Sequence, residues 1–414
     1  MSAKLQAPRG TLDVRPGDAR RRLRIQRIAE ELLGRAGYEP FETPIFEDTE
    51  VFARGVGQST DIVQKEMFTF EDKAGRSLTL RPEATAAICR AYVEHGMHKL
   101  PQPVKLWTMG PFFRHEAPQA GRFRQFTQID AEAIGSDDPS LDAELILLLH
   151  ELIERTGAGP ARLRLSSLGT PQTRAEYLDE LRSYLRAHEG ELSGEVRERL
   201  EANPLRAFDA DHPGTQAVMA GAPRLLDRLE ADDAEHFAQV RALLDTAGLA
   251  YDVDSTLVRG LDYYTRTVFE FESSRLGSQA ALGGGGRYDL LVEELGGPPT
   301  PGVGWAAGVE RLLLAAPDEE EEEPAARVFI AIATDPARDH ALGLAQALRE
   351  QGIRTEIEQA GRSMKGQLKQ ADRIGARATV ILGDGIDVKD MDSGEQQQVR
   401  DAAEAVERVR ELLA

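Results

Sequence analysis

The chain has 414 residues, with 70 acidic side chains against 50 basic ones, a formal net charge of −20 and one cysteine, Cys89. That length allows about two or three domains with sizeable cores, and a lone cysteine excludes an intramolecular disulfide framework and suits a reducing compartment. The acidity argues against indiscriminate nucleic-acid binding, but it leaves room for a specific RNA held by local basic patches.

The N-terminus lacks an apolar signal core, since Lys4, Arg9, Asp13 and Arg15 are spread through it. The spacing then predicts a helix over Ala19–Ala36, followed by Gly37-Tyr-Glu-Pro-Phe-Glu-Thr-Pro-Ile-Phe46. Thr79-Leu-Arg-Pro-Glu-Ala-Thr85 presents Glu83 and Thr85 at a strand-to-helix junction, where Pro82 fixes the turn. Val104–Phe113, a turn at Pro118–Gly121 and an alternating return strand at Phe123–Glu132 read as a β-hairpin. Alternation puts Phe126, Gln128, Asp130 and Glu132 on one polar face, with Arg114, Glu116, Arg122 and Arg124 at the turn end. Aligned cations and carboxylates are costly to leave unpaired, so this face suits a zwitterionic or phosphate-bearing ligand.

The longest apolar stretch, Leu145–Leu149, is far too short to span a bilayer, so a soluble, cytoplasmic protein without a membrane partner is expected. From Pro171 to Tyr251 the chain has helical spacing, as in Tyr177-Leu-Asp-Glu-Leu-Arg-Ser-Tyr-Leu185, and no sharp chemical motif. Leu257-Val-Arg-Gly-Leu-Asp-Tyr-Tyr264, Gly283-Gly-Gly-Gly-Arg-Tyr-Asp289 and Gly302-Val-Gly-Trp-Ala-Ala-Gly-Val-Glu-Arg-Leu-Leu-Leu314 follow. Six acidic residues in a row, Asp318–Glu323, before Pro324, repel one another and read as a solvated linker. Beyond it, strands at Val328–Ala333, Thr355–Glu358 and Ala378–Gly383 alternate with helices at Asp339–Gln351, Ser363–Ile374 and from Asp401 onward, as in a small α/β domain. Arg362, Lys365, Lys369, Arg373 and Arg377 recur at intervals of three or four and form a basic stripe.

Phe113-Arg114-His115-Glu116 with its loop and return strand resembles motif 2 of the class II aminoacyl-tRNA synthetases. The Leu257–Tyr264 and Gly283–Asp289 peptides resemble the two signatures of the histidyl-tRNA synthetase family, Gly302–Leu314 resembles motif 3, and Gly37–Phe46, with Pro44 as its anchor, resembles motif 1. The resemblance covers essentially the whole chain, in order. It implies an α+β fold: a class II antiparallel sheet flanked by helices (residues 1–170 and 252–317), a helical insertion (171–251), the acidic linker (318–325) and a C-terminal α/β anticodon-binding domain (326–414). It further implies a homodimer built on motif 1, with tRNA(His), L-histidine and ATP as partners.

The implied chemistry is attack of the histidine carboxylate on the ATP α-phosphate, followed by transfer to tRNA(His). That carboxylate is already ionised at neutral pH, so positioning and cationic stabilisation are needed rather than a general base. Arginine stays charged and offers a rigid fork of donors, and Arg114, Arg259 and Arg311 are the catalytic candidates. The resemblance assigns histidine to Glu83, Thr85, Arg114, Gln128, Glu132, Arg259, Tyr263, Tyr264 and Tyr288, and ATP to Arg114, Glu116, Arg122, Phe126 and Arg311. Mg2+ would enter on the ATP phosphates, without dedicated protein ligands or a permanently bound cofactor. Contacts to tRNA are expected from Gln119, Arg122 and Arg124, which take over from Ala117 and Ala120 where relatives often carry basic residues, and from Arg362, Lys365, Lys369 and Arg373. A non-catalytic regulatory subunit of histidine biosynthesis shares the core, but it would lack the Arg-Gly-Leu-Asp-Tyr-Tyr peptide and the tail domain. A threonine enzyme would need zinc ligands that one cysteine does not suggest.

Overall fold

The computed structural model describes residues 5–57, 60, 62–201, 204–257, 261–317 and 327–413. The acidic run Asp318–Glu323 with Pro324, and Arg259, lie outside the described residues. The chain forms two compact units, Met1–Pro317 and Asp318–Ala414.

The first unit opens with α1 (Pro16–Arg35), which has proline in its first turn and buries Ile25, Ala29, Leu32 and Leu33 at helical spacing. Then come β1 (Glu39–Pro40), β2 (Phe46–Asp48), α2 (Thr49–Gly55), β3 (Phe68–Glu71), β4 (Ser77–Leu80) and α3 (Thr85–Glu94). The long hairpin is β5 (Val104–Phe113) and β6 (Gln125–Ile134), in unbroken register from Val104↔Ile134 to Phe113↔Gln125. After it run α4 (Pro139–Arg155), β7 (Arg162–Ser167), α5 (Pro171–Ala187), α6 (Gly194–Arg199), α7 (Pro213–Ala220), α8 (Ala231–Thr246), β8 (Asp252–Val253), β9 (Thr265–Glu272), β10 (Ala281–Arg287), α9 (Leu291–Glu294), β11 (Gly302–Gly308) and α10 (Val309–Ala315).

Eight strands form one sheet in the order β1-β5-β6-β11-β10-β9-β7-β8, and β2-β4-β3 make a smaller one. The large sheet is antiparallel through its middle, as expected, but its edge pairs β1–β5 and β7–β8 are parallel. Each of the outermost strands has two residues, too few for alternation to announce them. Alternation along β6 sends Ile129, Ala131 and Ala133 into a core with residues of α1, α4 and α8, while Gln128 and Asp130 face a cavity on the opposite side.

The helical stretch Pro171–Tyr251 does not pack as one body. Helices α5, α6 and α7 bury Tyr177, Leu181, Leu185, Val196 and Val218 on the cavity side of the sheet. In contrast α8 buries Phe237, Val240 and Leu244 in the same core as α4, so the packing ties it to the sheet rather than to the insertion.

The second unit has β12 (Arg327–Ile332), α11 (Arg338–Glu350), β13 (Arg354–Ile357), α12 (Met364–Arg373), β14 (Ala376–Leu382), β15 (Ile386–Asp390), β16 (Gln396–Val399) and α13 (Ala402–Leu413). Its sheet runs β13-β12-β14-β15-β16. Strands β12, β13 and β14 are parallel, and the added hairpin is antiparallel. Ser363 caps α12 by accepting from Gly366 N–H at 3.4 Å. Among the described residues no helix is long and apolar enough to cross a membrane.

Candidate active site

The cavity on the open side of the large sheet has a volume of about 210 Å³. Strand β6 supplies Phe126, Gln128 and Asp130, the start of α3 supplies Glu83 and Thr85, and the hairpin loop supplies Arg114, Glu116 and Arg122. Tyr263, Tyr264, Tyr288 and Arg311 close it. Thus residues from separate sequence motifs meet in one space.

At one end sits a carboxylate–hydroxyl cage. Glu83 caps α3, accepting from the N–H groups of Thr85 (2.7 Å) and Ala86 (3.0 Å). Thr85 Oγ1 donates to Glu132 Oε1 and the Tyr288 hydroxyl donates to Glu132 Oε2, each at 2.6 Å. Glu132 therefore lies one layer behind the wall, orienting Thr85 and Tyr288. Burial pushes its carboxyl up to about 8, and burial likewise raises Glu83. Glycine at 304 makes the arrangement possible, because a Cβ there would overlap Glu132 Oε2. The rings of Tyr263 and Tyr264 lie 4.7 Å apart and those of Tyr263 and Tyr288 5.9 Å apart, so the tyrosines form a continuous wall.

The other end is cationic. Arg311 donates to Gly121 O (3.0 Å) and Ala281 O (2.9 Å), bridging the hairpin loop to β10. Arg114 donates to Pro82 O at 2.9 Å, and its guanidinium lies 5.3 Å from the Phe126 ring centre. Arg122 pairs with Glu116 at 2.8 Å. Among the described residues, no three or more His, Cys, Asp or Glu side chains converge as a metal site.

The expected RNA-facing residues separate. Gln119 and Arg122 pair across the tight turn of the hairpin loop. Arg124 donates back to Glu116 O at 3.3 Å, so it props the loop from within. In the second unit Lys365, Lys369 and Arg373 are exposed along α12. Arg362 instead pairs with Glu358 (3.1 Å), and Arg377 pairs with Asp390 and Asp392, which narrows the basic stripe to its middle.

Sequence reading assigned no role to Arg81, Glu270 or Glu310. Arg81 is 1% exposed, donates to Pro111 O and Thr43 O, and its guanidinium lies over Phe112. Glu310 takes the Thr127 N–H on both oxygens and pairs with Arg22 at 2.6 Å, tying the hairpin to α10 and α1. Glu270 faces the cavity between Phe269 and Phe271, which point into the core; alternation along β9 is the signal that would have found it.

A family model described as "Histidyl-tRNA synthetase" matches residues 10–312, and one described as "Anticodon binding domain" matches 327–412. The chain belongs to the histidyl-tRNA synthetase family. A histidine–tRNA ligase of Rubrobacter xylanophilus is 48% identical over 407 residues, covering 95% of this chain and 96% of the relative. One from Halothermothrix orenii is 44% identical over 418 residues, covering 99% and 100%. Among solved structures, the apo histidyl-tRNA synthetase of S. aureus aligns with a TM-score of 0.80 and 37% identity, covering 98% of this chain and 99% of that one. An ATP phosphoribosyltransferase regulatory subunit/histidyl-tRNA synthetase from Bacillus halodurans C aligns at 21% identity with a TM-score of 0.67, which speaks for shared fold alone.

Proposed function

We propose that this chain attaches L-histidine to its cognate tRNA: ATP and histidine give histidyl-adenylate and diphosphate, and the histidyl group then passes to tRNA(His) with release of AMP. The observation that carries this reading is that the carboxylate–hydroxyl–tyrosine cage and the arginine-rich end share one cavity. A substrate with its ammonium and imidazole in the cage would present its carboxylate toward the cationic end, where ATP would lie.

The geometry supports the following roles. Glu83, Thr85 and Gln128 would hold the ammonium end, with Glu132 orienting Thr85 and Tyr288, while the tyrosines wall the imidazole. A polar pocket of this sort rejects an analogue that lacks the N–H, because buried acceptors are then left unpaired. Phe126 offers the adenine a stacking face once Arg114 turns toward phosphate. Arg114 and Arg311 would stabilise charge growing on the phosphoryl oxygens. Arg259 shares that role on the family resemblance alone. Glu116 and Glu270 would hold Mg2+ arriving on the phosphates, as hard oxygen donors do; bound there, the ion would neutralise phosphate charge.

The tail would read the anticodon through the exposed face of α12. A homodimer is part of the proposal, supported by exposed Phe46 and Phe70 on strands of the smaller sheet, with Ile45 next to them. The decisive experiment is ATP–pyrophosphate exchange with each amino acid in turn. Exchange is expected with histidine alone, and exchange driven by another amino acid or by none would overturn the assignment.

A further inference from the structure

Two of the carboxylates around the cage are already engaged. Glu83 takes two backbone N–H groups, and Glu132 takes two hydroxyls. Asp130 differs. It stands between Gln128 and Glu132 on the same face of β6, lines the cavity, is 1% exposed, and its Oδ2 is buried with no hydrogen-bond partner. Its cross-strand neighbours are Thr108 on β5 and Ala306 on β11, which bring no charge. Of the cations near it, Arg81 donates to Pro111 O and Thr43 O and leaves its Nη2 buried without a hydrogen-bond partner, and Arg114 donates to Pro82 O.

A buried carboxylate without a donor is costly to keep ionised. Burial first, then the charges of Glu132 and Glu83, hold Asp130 well above the usual carboxylate range against the opposing pull of Arg81 and Arg114. A substrate that carries an ammonium group into this space brings the donor that Asp130 lacks.

We propose that Asp130 is a further amino-acid-binding residue, which receives the substrate's ammonium on its free carboxylate oxygen. This rests on the amino-acid-activating reading of the cavity.

The test is calorimetry of histidine binding, paired with pyrophosphate exchange, on the wild type and Asp130→Asn. Asp130→Asn should bind histidine about tenfold or more weakly than the wild type. The variant's KM for histidine should rise by about tenfold or more, as for a lost hydrogen bond to a charged group, with the KM for ATP little changed. An unchanged histidine affinity and histidine KM in the variant would overturn the proposal. Should Asp130→Asn fail to fold, Asp130→Ser, which has no buried acid to satisfy, gives the same comparison. Histidine-dependent exchange by the wild type tests the activity on its own, so an indifferent Asp130 variant beside an active wild type sinks only the role of Asp130.

Discussion

At the residue scale the cage sets up a dependence on pH whose sign can be worked out. Glu132 titrates near 4.5 in an unfolded chain and is pushed up to about 8 by burial. Between those values the folded protein holds a proton that the unfolded chain has released. The stabilisation is thus fully present below about 4.5 and lost as pH rises through about 8. The ligand-free protein should melt at progressively lower temperature across that window. Glu132→Gln keeps the shape and has no proton to lose, so its slope should be shallower; an equal slope would mean that Glu132 is not the group responsible. Asp130 and Glu83 act in the same direction, so the slope should shrink without vanishing. The grouping of this cage was legible through resemblance, because Glu83, Thr85, Gln128, Glu132 and the tyrosines sit in short peptides that resemble family motifs, and the structure brings those peptides together. Arg81 and Glu310 were not legible. A single charged residue reads as solvent-facing, and their partners are remote in the chain, as with Arg22 and Glu310 at a separation of 288 residues.

At the scale of elements, β11 shows what a strand must give up to border a site. A Cβ on Gly304 would overlap Glu132 Oε2 and stand 2.7 Å from Ala131 O, and one on Gly302 would overlap the Tyr288 ring. Gly304→Ala should therefore destabilise the protein by about 1–3 kcal/mol, the usual cost of overpacking, and raise the KM for histidine more than that for ATP. Glu132 is the flexible party in the clash, so the same substitution in a Glu132→Ala background should cost less, as thermal unfolding of the four proteins in a double-mutant cycle would register. Equal costs in both backgrounds would place the clash with the Ala131 backbone instead. Helices and long strands were readable from period and punctuation, as with α1, α12 and the β5–β6 hairpin. What escaped reading was decided by packing or by a weak pattern. Strand β16 of the added hairpin is built on the polar run Gln396, Gln397 and Gln398, which carries no apolar alternation. Helix α8 has the spacing of the insertion helices, and its packing against α4 and β9 ties it to the sheet.

At the scale of the whole molecule, the division after Pro317 separates two kinds of work. Every described residue assigned to adenylate chemistry lies in the first unit, and the exposed cations of α12 lie in the second. A chain ending at Pro317 should retain histidine-dependent pyrophosphate exchange, yet charge tRNA poorly, once sedimentation shows that it keeps the assembly state of the full chain. Within the full chain, replacing Lys365, Lys369 and Arg373 by glutamine should weaken tRNA binding and flatten its dependence on salt. Every phosphate deprived of its cation takes about 0.7–0.9 off the slope of log affinity against log salt. Arg377 supplies the control. It belongs to the same run of cations in sequence, but its charge is taken up by Asp390 and Asp392. Arg377→Gln should therefore leave the salt slope unchanged. If it flattened the slope as much as the α12 substitutions do, net charge rather than a defined helix face would govern the encounter. If a truncated chain of intact assembly state charged tRNA at the full rate, the second unit would not be the anticodon reader.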